Sequence, residues 1–442
     1  MLTLALLLAS LLLGGERGAR QETPLPGADA RKLRAAFTEA LASSDPRDWK
    51  PCLALVETLE AKHGRAALLA LAAEGPELPR GEPKPRKVGK KKEAYTQIDQ
   101  VTVGFAFEHD GRVFRYALDL PRKYDGEQRH GLLIDPGHGT GKDKDDRGKA
   151  DFLPFFRGQA DAAGLADWIV ARTEIVEQVG ADGRLGARPE DEVAAIFAAF
   201  RRDVLTRFAV DPARVVVAGL SQTGFWSWYL GRELADRLAG IVPMGAVTWE
   251  IDPALGNLLN LPTFVIHGAN DPICKVEPVR ATTKRMQELG LPVKYLELAE
   301  AAHDVGTWGY LGEGLEWVVA QPRERAPKHV LKSLGTLANP WAHWLRVERL
   351  ARETDGRASS PPGGHVEARI EGQRITLESR GVEALSLWLT PELVDLEQEL
   401  VVTWNGKEAS RGKPERSARV AFEAALERCD WQFLPEARVE LR

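Results

Sequence analysis

The stretch "VVVAGLSQTGFW", Val215 to Trp226, places one serine between a strand-like run and a helix-like run. The four small apolar residues that end at Ala218 predict a buried strand, and the aromatic-rich segment from Gly224 predicts a helix. A strand that passes into a helix without an ordinary loop needs a tight, strained turn, which leaves the Ser221 hydroxyl exposed. The alternative is that Ser221 only caps the helix, so the surrounding sequence must decide.

Short apolar runs around this stretch alternate with helical segments. The runs are "GLLID", "WIVART", "RVVVAG", "GIVPMG", "TFVIHG" and "VKYLEL". This alternation predicts an α/β fold class, a mostly parallel sheet flanked by helices. Before these runs, two segments with a period of two, Val101–Phe107 and Phe114–Leu120, predict a β-hairpin.

The composition is that of an ordinary globular protein. The chain has 442 residues, a net charge of -5, 44% hydrophobic residues and 28% charged residues. Without an excess of positive charge, we expect no nucleic-acid partner. A chain of this length is expected to form two or three structural units.

The chain begins with an apolar run, Leu2 to Leu13, that is shorter than the ~20 residues needed to span a membrane. We interpret it as an export signal, although an uncleaved anchor or a wrongly assigned start is the alternative. Export predicts a periplasmic or extracellular protein with no stable membrane span after signal removal.

Changes in composition divide the chain. The chain starts, after the apolar run, with a helical period and continues with a Pro/Lys-rich stretch. The strand-helix alternation comes next, and short strands with an Asn405-Gly406 turn come last. The predicted units are a signal peptide at 1–20, an N-terminal helical segment at 21–75, a solvated linker at 76–93, a catalytic domain at 94–320 and a small β-rich C-terminal domain at 321–442.

The serine stretch resembles the nucleophile elbow G-x-S-x-G of the α/β-hydrolase superfamily, with Thr223 where the second glycine is usual. Within the superfamily, residues 95–320 look most like the catalytic domains of the dienelactone hydrolase, phospholipase/carboxylesterase and prolyl oligopeptidase groups. The resemblance implies the α/β-hydrolase fold and Ser221 as nucleophile.

The same resemblance implies an acid and then a histidine on loops after later strands. Asp271 follows "TFVIHGAN", in an H-G-x-x-D pattern that starts at His267, and His303 follows "VKYLELAEAA". Asp271 also precedes a proline, where it could simply start a turn, and His303 is one of nine histidines. The required order favours Ser221, Asp271 and His303 as a catalytic triad.

The oxyanion hole is expected from two backbone N–H groups. One belongs to Gln222, directly after the serine. By resemblance to the His-Gly loop of lipases and esterases, the other belongs to Thr140 in "DPGHGTG", with Gly139 as the alternative. Trp249, in a loop after the next strand, is a candidate for lining the substrate pocket. No P-loop, dinucleotide fingerprint or metal-ligand spacing occurs, so we predict no cofactor and no metal.

Taken together, these features predict an exported serine hydrolase that cleaves carboxylic esters through an acyl-enzyme. Its partner would be a small-molecule or polymer-linked ester, and the C-terminal domain could contact a polymer or a protein. A prolyl-oligopeptidase-like peptidase is the alternative within enzymes, although no blade-like repeat precedes the catalytic domain. An inactive hydrolase fold that serves as a binding protein is the alternative from another class.

Overall fold

The computed structural model describes residues 24–78, 80–81, 83–137, 146–179, 185–248, 252–303, 308–321, 323–355, 357 and 359–442. The helices among these residues are α1 (Gly27–Ala42), α2 (Pro46–His63), α3 (Arg65–Ala73), α4 (Asp146–Ala162), α5 (Glu190–Arg207), α6 (Gln222–Leu234), α7 (Val276–Glu288), α8 (Leu311–Val319) and α9 (Ala418–Arg428). Pro189 precedes α5, whose first turn carries three acidic residues that suit the positive end of a helix dipole.

The strands up to residue 298 are between two and eleven residues long. They are β1 (Lys87–Val88), β2 (Lys91–Lys92), β3 (Thr96–Ile98), β4 (Val101–His109), β5 (Arg112–Asp119), β6 (His130–Asp135), β7 (Ile169–Thr173), β8 (Glu177–Val179), β9 (Leu185–Ala187), β10 (Val210–Leu220), β11 (Gly240–Met244), β12 (Thr263–Gly268) and β13 (Val293–Leu298). The predicted hairpin is β4 and β5, and each of the six apolar runs forms a strand.

Nine of these strands form the main sheet, in the order β13-β12-β11-β10-β6-β7-β5-β4-β3. The strands from β13 to β7 are parallel to their neighbours, and the remaining edge is antiparallel. The chain leaves β6 towards β7 and later returns to the other side of β6 as β10, so the strand order reverses there. Such a reversal opens a crevice at the carboxyl ends of the strands. The chain has the α/β-hydrolase fold, as predicted.

Alternate residues of β10 face the two layers of helices that cover the sheet. Val215 and Val217 belong to a core that includes α5, α6 and α7, whereas Val216 and Ala218 belong to a core that includes α4 and α8. Since successive side chains of a strand point to opposite faces, a continuous apolar run fits a sheet that is covered on both sides.

The C-terminal region adds further strands. They are β14 (His329–Leu334), β15 (Trp341–Ala342), β16 (Leu345–Leu350), β17 (Gly364–Glu371), β18 (Arg374–Arg380), β19 (Val382–Leu389), β20 (Leu400–Trp404), β21 (Lys407–Gly412) and β22 (Ala437–Leu441). They form two sheets, β14-β17-β18-β20-β21 and β15-β16-β19-β22, around a shared apolar core. Asn405 and Gly406, both with positive φ, make the predicted turn between β20 and β21.

Helix α9 connects this region to the N-terminal helices. The rings of Phe37 in α1 and Phe422 in α9 are 4.9 Å apart, and both belong to the core that includes α5 and α6. The Glu60 carboxylate accepts hydrogen bonds from Ala418 N at 2.9 Å and Ser417 Oγ at 3.0 Å, at the N-terminus of α9. Segments that the sequence divides into separate units therefore share one core.

The Pro/Lys-rich segment 76–93 also differs from a fully solvated linker. It contains the β1–β2 hairpin, and Val88 is buried. Its end is attached to α5, because Arg86 forms an ion pair with Asp203 and the Glu93 carboxylate lies 3.0 Å from the Arg207 guanidinium. One basic and one acidic residue that composition alone assigns to solvent, Arg86 and Glu93, thus pair with oppositely charged residues of α5.

The predicted signal peptide lies outside the described residues. Among the helices of the described residues, none has the length and the apolar character needed to cross a membrane. Export therefore stays a prediction from the sequence.

Candidate active site

Ser221 is the single residue between the end of β10 and the start of α6. Its backbone has φ 60° and ψ -119°, a conformation that is costly for a residue with a side chain. The surrounding backbone holds it there, because Ser221 N donates to Met244 O at 2.9 Å and Ser221 O accepts from Phe225 N at 2.9 Å. The serine stays partly exposed. The strained turn that the sequence predicts is present.

Two glycines allow this turn. A Cβ on Gly219 would lie 2.2 Å from Thr223 Oγ1, and a Cβ on Gly224 would lie 2.6 Å from Met244 O. Thr223 itself is buried and donates its hydroxyl to Leu220 O at 3.0 Å. The close approach of α6 to β11 thus falls on Gly224, one residue later than in the usual motif.

His303 and Asp271 lie at the same edge of the sheet as Ser221, on the loops after β13 and β12. His303 Nε2 is 2.9 Å from Ser221 Oγ, and His303 Nδ1 is 2.7 Å from Asp271 Oδ2. The side chain of Asp271 is fully buried, whereas that of His303 keeps 17% of its surface exposed. The structure brings the three predicted residues together in one chain of hydrogen bonds.

The Asp271 carboxylate is fixed on both of its oxygens. Oδ1 accepts from Ile273 N and Cys274 N, each at 2.8 Å, while Oδ2 faces His303. Because a carboxylate that accepts several N–H groups is held in one orientation, Oδ2 is directed at the imidazole. Asp271 therefore starts a turn and contacts the histidine at the same time.

His267 supports the Asp271 loop from the end of β12. Its Nε2 is 2.7 Å from Cys274 O and must carry the proton of that hydrogen bond, and it is 3.6 Å from Asp271 Oδ2. Burial lowers the pKa of His267, so the ring is neutral at neutral pH. A neutral donor here connects the strand end to the turn without adding a second charge.

Sequence reasoning missed Gly245 and Cys274. Gly245 has φ 47°, and a Cβ there would lie 3.6 Å from Asp271 Oδ2 and 3.8 Å from His303 Nδ1. The Cys274 thiol lies within 4.8 Å of a carboxylate oxygen of Asp271 and a ring nitrogen of His303. Burial, and then the nearby carboxylate, raise the pKa of Cys274 to about 11. The position of Gly245 directly after β11 was the available signal for it, but nothing in the sequence pairs Cys274 with the histidine.

Gln222 is the first residue of α6. The N–H groups in the first turn of a helix point outward from its N-terminus. In α6 this N-terminus lies directly beside Ser221, which is the N-cap residue. The other predicted oxyanion residues, Gly139 and Thr140, lie outside the described residues, as does Trp249.

The chain is well fixed immediately before the predicted oxyanion loop. Asp135 Oδ1 accepts from Gly137 N at 2.7 Å, and Asp135 Oδ2 lies 2.8 Å from Arg172 Nη1. Gly137 has φ 92°, and a Cβ there would lie 2.1 Å from Thr173 O. The position of residue 137 relative to β6 and β7 is therefore constrained by its backbone contacts.

Among the described residues, one set of three His, Cys, Asp or Glu side chains is close enough to share a metal ion, namely Asp271, Cys274 and His303. All three cysteines of the chain, Cys52, Cys274 and Cys429, are free thiols. The candidate site holds an acid–base chain and a thiol that remains protonated at neutral pH.

Comparison with known proteins gives matches among solved structures, whereas no family profile and no curated protein matches. A thermostable esterase is 20% identical over 51% of this chain and 64% of its own, with a TM-score of 0.41. An S-formylglutathione hydrolase from Agrobacterium tumefaciens is 10% identical over 52% of this chain and 98% of its own, with a TM-score of 0.41. A putative dipeptidyl aminopeptidase IV from Bacteroides ovatus is 16% identical over 50% of this chain and 35% of its own, with a TM-score of 0.37.

The match to this chain thus spans just under two thirds of the thermostable esterase and about a third of the aminopeptidase. The α/β-hydrolase fold of this chain is established by its own sheet order and connections.

Proposed function

We propose that this protein is an exported serine hydrolase that cleaves carboxylic esters through an acyl-enzyme. The observation that supports this most is the chain of hydrogen bonds from Asp271 through His303 to Ser221, with distances of 2.7 and 2.9 Å. A serine hydroxyl is a poor nucleophile unless a base takes its proton, and an imidazole held by a buried carboxylate is such a base.

In the first half of the reaction, His303 Nε2 takes the proton of Ser221 as Oγ attacks the carbonyl carbon of the ester. The carbonyl π electrons move to oxygen, giving a tetrahedral intermediate. The N–H of Gln222 and that of Thr140, or of Gly139, stabilise the oxyanion. Asp271 stabilises the imidazolium through its hydrogen bond to Nδ1.

The intermediate then collapses. The C–O bond to the alcohol breaks as His303 Nε2 returns its proton to the leaving oxygen, and the acyl group stays on Ser221. In the second half, His303 takes a proton from water, whose oxygen attacks the acyl carbon. Breakdown of that second intermediate releases the carboxylic acid and restores the serine proton. The partly exposed Ser221 and His303 side chains suit a substrate that arrives from solvent.

The proposed substrates are small-molecule or polymer-linked esters, with Trp249 as a candidate pocket residue. Preference for esters over peptides rests on the sequence, which has no blade-like repeat before the catalytic domain. A peptidase uses the same groups, so it remains an outcome of the experiment below. Export rests on the apolar run Leu2 to Leu13.

The test is labelling of the purified protein with a fluorophosphonate probe, together with turnover of a short-chain aryl ester and an aryl amide. We expect labelling and ester turnover in the wild type. Ser221→Ala should lower kcat by roughly a millionfold, the size of loss seen when a triad serine is removed, without changing the melting temperature by more than a few degrees.

The matched control is Ser227→Ala, in the same helix, whose buried hydroxyl only donates to Thr223 O at 2.8 Å. This variant should still label. A folded wild type that neither labels nor turns over the ester would contradict the enzyme and favour a binding protein, whereas faster turnover of the amide would favour the peptidase.

A further inference from the structure

The thiol beside the imidazole gives the proposed active site a second set of donor atoms. One ligand-type atom from each of Asp271, Cys274 and His303 lies within 4.8 Å of the other two. A sulfur, an imidazole nitrogen and a carboxylate oxygen are the donors that zinc prefers in proteins. This group is also largely buried, since Cys274 is 8% exposed and Asp271 is 3% exposed.

We propose that Asp271, Cys274 and His303 form an inhibitory binding site for a thiophilic divalent cation such as Zn²⁺ or Cd²⁺. The proposal rests on the proposed function, because it assigns a regulatory ligand to the same site. The fourth position of a tetrahedral ion would hold water, as in other zinc sites with three protein ligands.

The geometry requires little movement. Bonds of zinc to nitrogen, oxygen and sulfur imply donor–donor separations of roughly 3.3 to 3.8 Å in a tetrahedron. His303 Nδ1 and Asp271 Oδ2 are 2.7 Å apart, and Cys274 Sγ lies within 4.8 Å of a ring nitrogen and of a carboxylate oxygen, so adjustments of roughly 1 Å would bring the donors into this range. Asp271 Oδ1 can keep its two backbone hydrogen bonds, because Oδ2 is the oxygen that faces the imidazole.

Binding at Nδ1 would switch off the base. In the free site the ring proton is on Nδ1, between His303 and Asp271, and Nε2 offers its lone pair to Ser221. When the ion occupies the Nδ1 lone pair, the neutral ring carries its proton on Nε2 instead. The thiol of Cys274 releases one proton to solvent as the sulfur binds the ion. Nε2 then donates to Ser221 Oγ and cannot accept its proton.

The first measurement is inhibition of ester turnover by Zn²⁺ and Cd²⁺ in the full-length protein. We expect inhibition that EDTA reverses. With inhibition expressed relative to each protein's own turnover without added ion, Cys274→Ala keeps the backbone N–H that holds Asp271 and lacks only the thiol. It should require at least roughly tenfold more ion for the same inhibition, since even residues outside a metal's ligand set contribute this much to affinity. Cys52→Ala, which removes a buried thiol of α2, is the matched control and should behave as the wild type. Equal inhibition of all three proteins would overturn the proposal.

The second measurement does not depend on catalysis. Cd²⁺ bound to a thiolate absorbs in the ultraviolet, so titration of the wild type should produce this band and titration of Cys274→Ala should lack it. Protein blocked at Ser221 by a fluorophosphonate should still give the band, because Ser221 is not a ligand. If the protein hydrolyses no ester but shows the band, the proposed function fails and the metal site stands. Absence of the band from the wild type, or a band without inhibition of an active enzyme, would overturn the inhibitory site.

Discussion

Two groups of polar side chains in this molecule both contain buried carboxylates, but their members differ in how much of their surface is exposed to solvent. One is the candidate active site, Ser221, Asp271 and His303. The other, which we call the arginine–aspartate cluster, lies between the α/β-hydrolase domain and the C-terminal region; it consists of Arg201, Asp236, Arg323, Arg428 and Asp430. In both groups buried carboxylates face nitrogen donors at hydrogen-bond distance.

In the arginine–aspartate cluster almost every charged group is enclosed. Arg323 Nη2 lies 2.8 Å from Asp430 Oδ2, and Arg428 Nη1 lies 2.7 Å from Asp236 Oδ2. The exposed fraction of these four side chains is 8% or less. Burial would raise the pKa of Asp430, but Arg323 and Arg428 lower it below its usual range. A substrate has no access to such a group, so its charges can act only on the folded structure.

The candidate active site differs because its last two members remain partly exposed. Asp271 is enclosed as Asp430 is, but it holds a histidine whose other nitrogen faces a serine at the surface. Burial of the acid alone therefore does not distinguish the candidate active site from the arginine–aspartate cluster. What distinguishes them is whether the chain of hydrogen bonds ends at an accessible atom, and this suggests variants that separate rate from stability.

Among these variants, the greatest loss is predicted for the rate of ester turnover. In Asp271→Asn the amide oxygen can still accept from the turn, but the amide nitrogen would donate to His303 Nδ1 and force the ring proton onto Nε2. We expect kcat for the ester to fall by roughly 10⁴-fold, as in other enzymes with this substitution. Equilibrium unfolding in urea should change little. A kcat within tenfold of the wild type would remove Asp271 from the proposed mechanism.

A smaller effect, on stability, is expected in the arginine–aspartate cluster. Asp430→Asn leaves Arg323 and Arg428 buried without this counter-charge, which typically costs about 3 to 5 kcal/mol. The free energy of unfolding in urea measures this loss. The kcat per labelled active site should match the wild type, and a large drop in kcat at unchanged stability would contradict the distinction drawn above.

The sequence predicted the main sheet and the three residues of the candidate active site because both depend on order along the chain. Strands alternate with helices, and the carboxyl ends of parallel strands meet at one edge, so residues just after β10, β12 and β13 are brought together. Ser221, Asp271 and His303 each occupy such a position. The roles of Gly139, Thr140 and Trp249 stay predictions, since these residues lie outside the described ones.

Contacts without a periodic pattern were not predictable. Arg428 contacts both the side chain and the backbone carbonyl of Asp236. The two residues are 192 positions apart in the sequence, and no spacing rule connects them. Helix α9 was missed as a partner of α1 for the same reason. The predicted β-rich domain at 321–442 therefore contributes to the N-terminal core, and deletion of this region would expose that core instead of testing a binding role.

A weaker change is predicted for the pH dependence of stability, which comes from His343 beside the arginine–aspartate cluster. His343 is buried beside Asp236, Asp430, Arg323 and Arg428, and burial lowers its pKa to about 3. The unfolded chain has an ordinary histidine pKa near 6.5, so between these values the unfolded state binds the extra proton.

Stability should therefore fall as pH drops below about 6.5, by up to ~1.4 kcal/mol per pH unit for this one group, and should not depend on His343 above that pH. His343→Asn removes the titrating ring, and asparagine tolerates the positive φ of 54° at this position. Free energies of unfolding measured from pH 7 to pH 5, where most carboxylates are still ionised, should decline less steeply in the variant. Parallel declines would show that His343 is protonated as easily in the folded protein as in the unfolded one, and the arginine–aspartate cluster would then be open to solvent as the active site is.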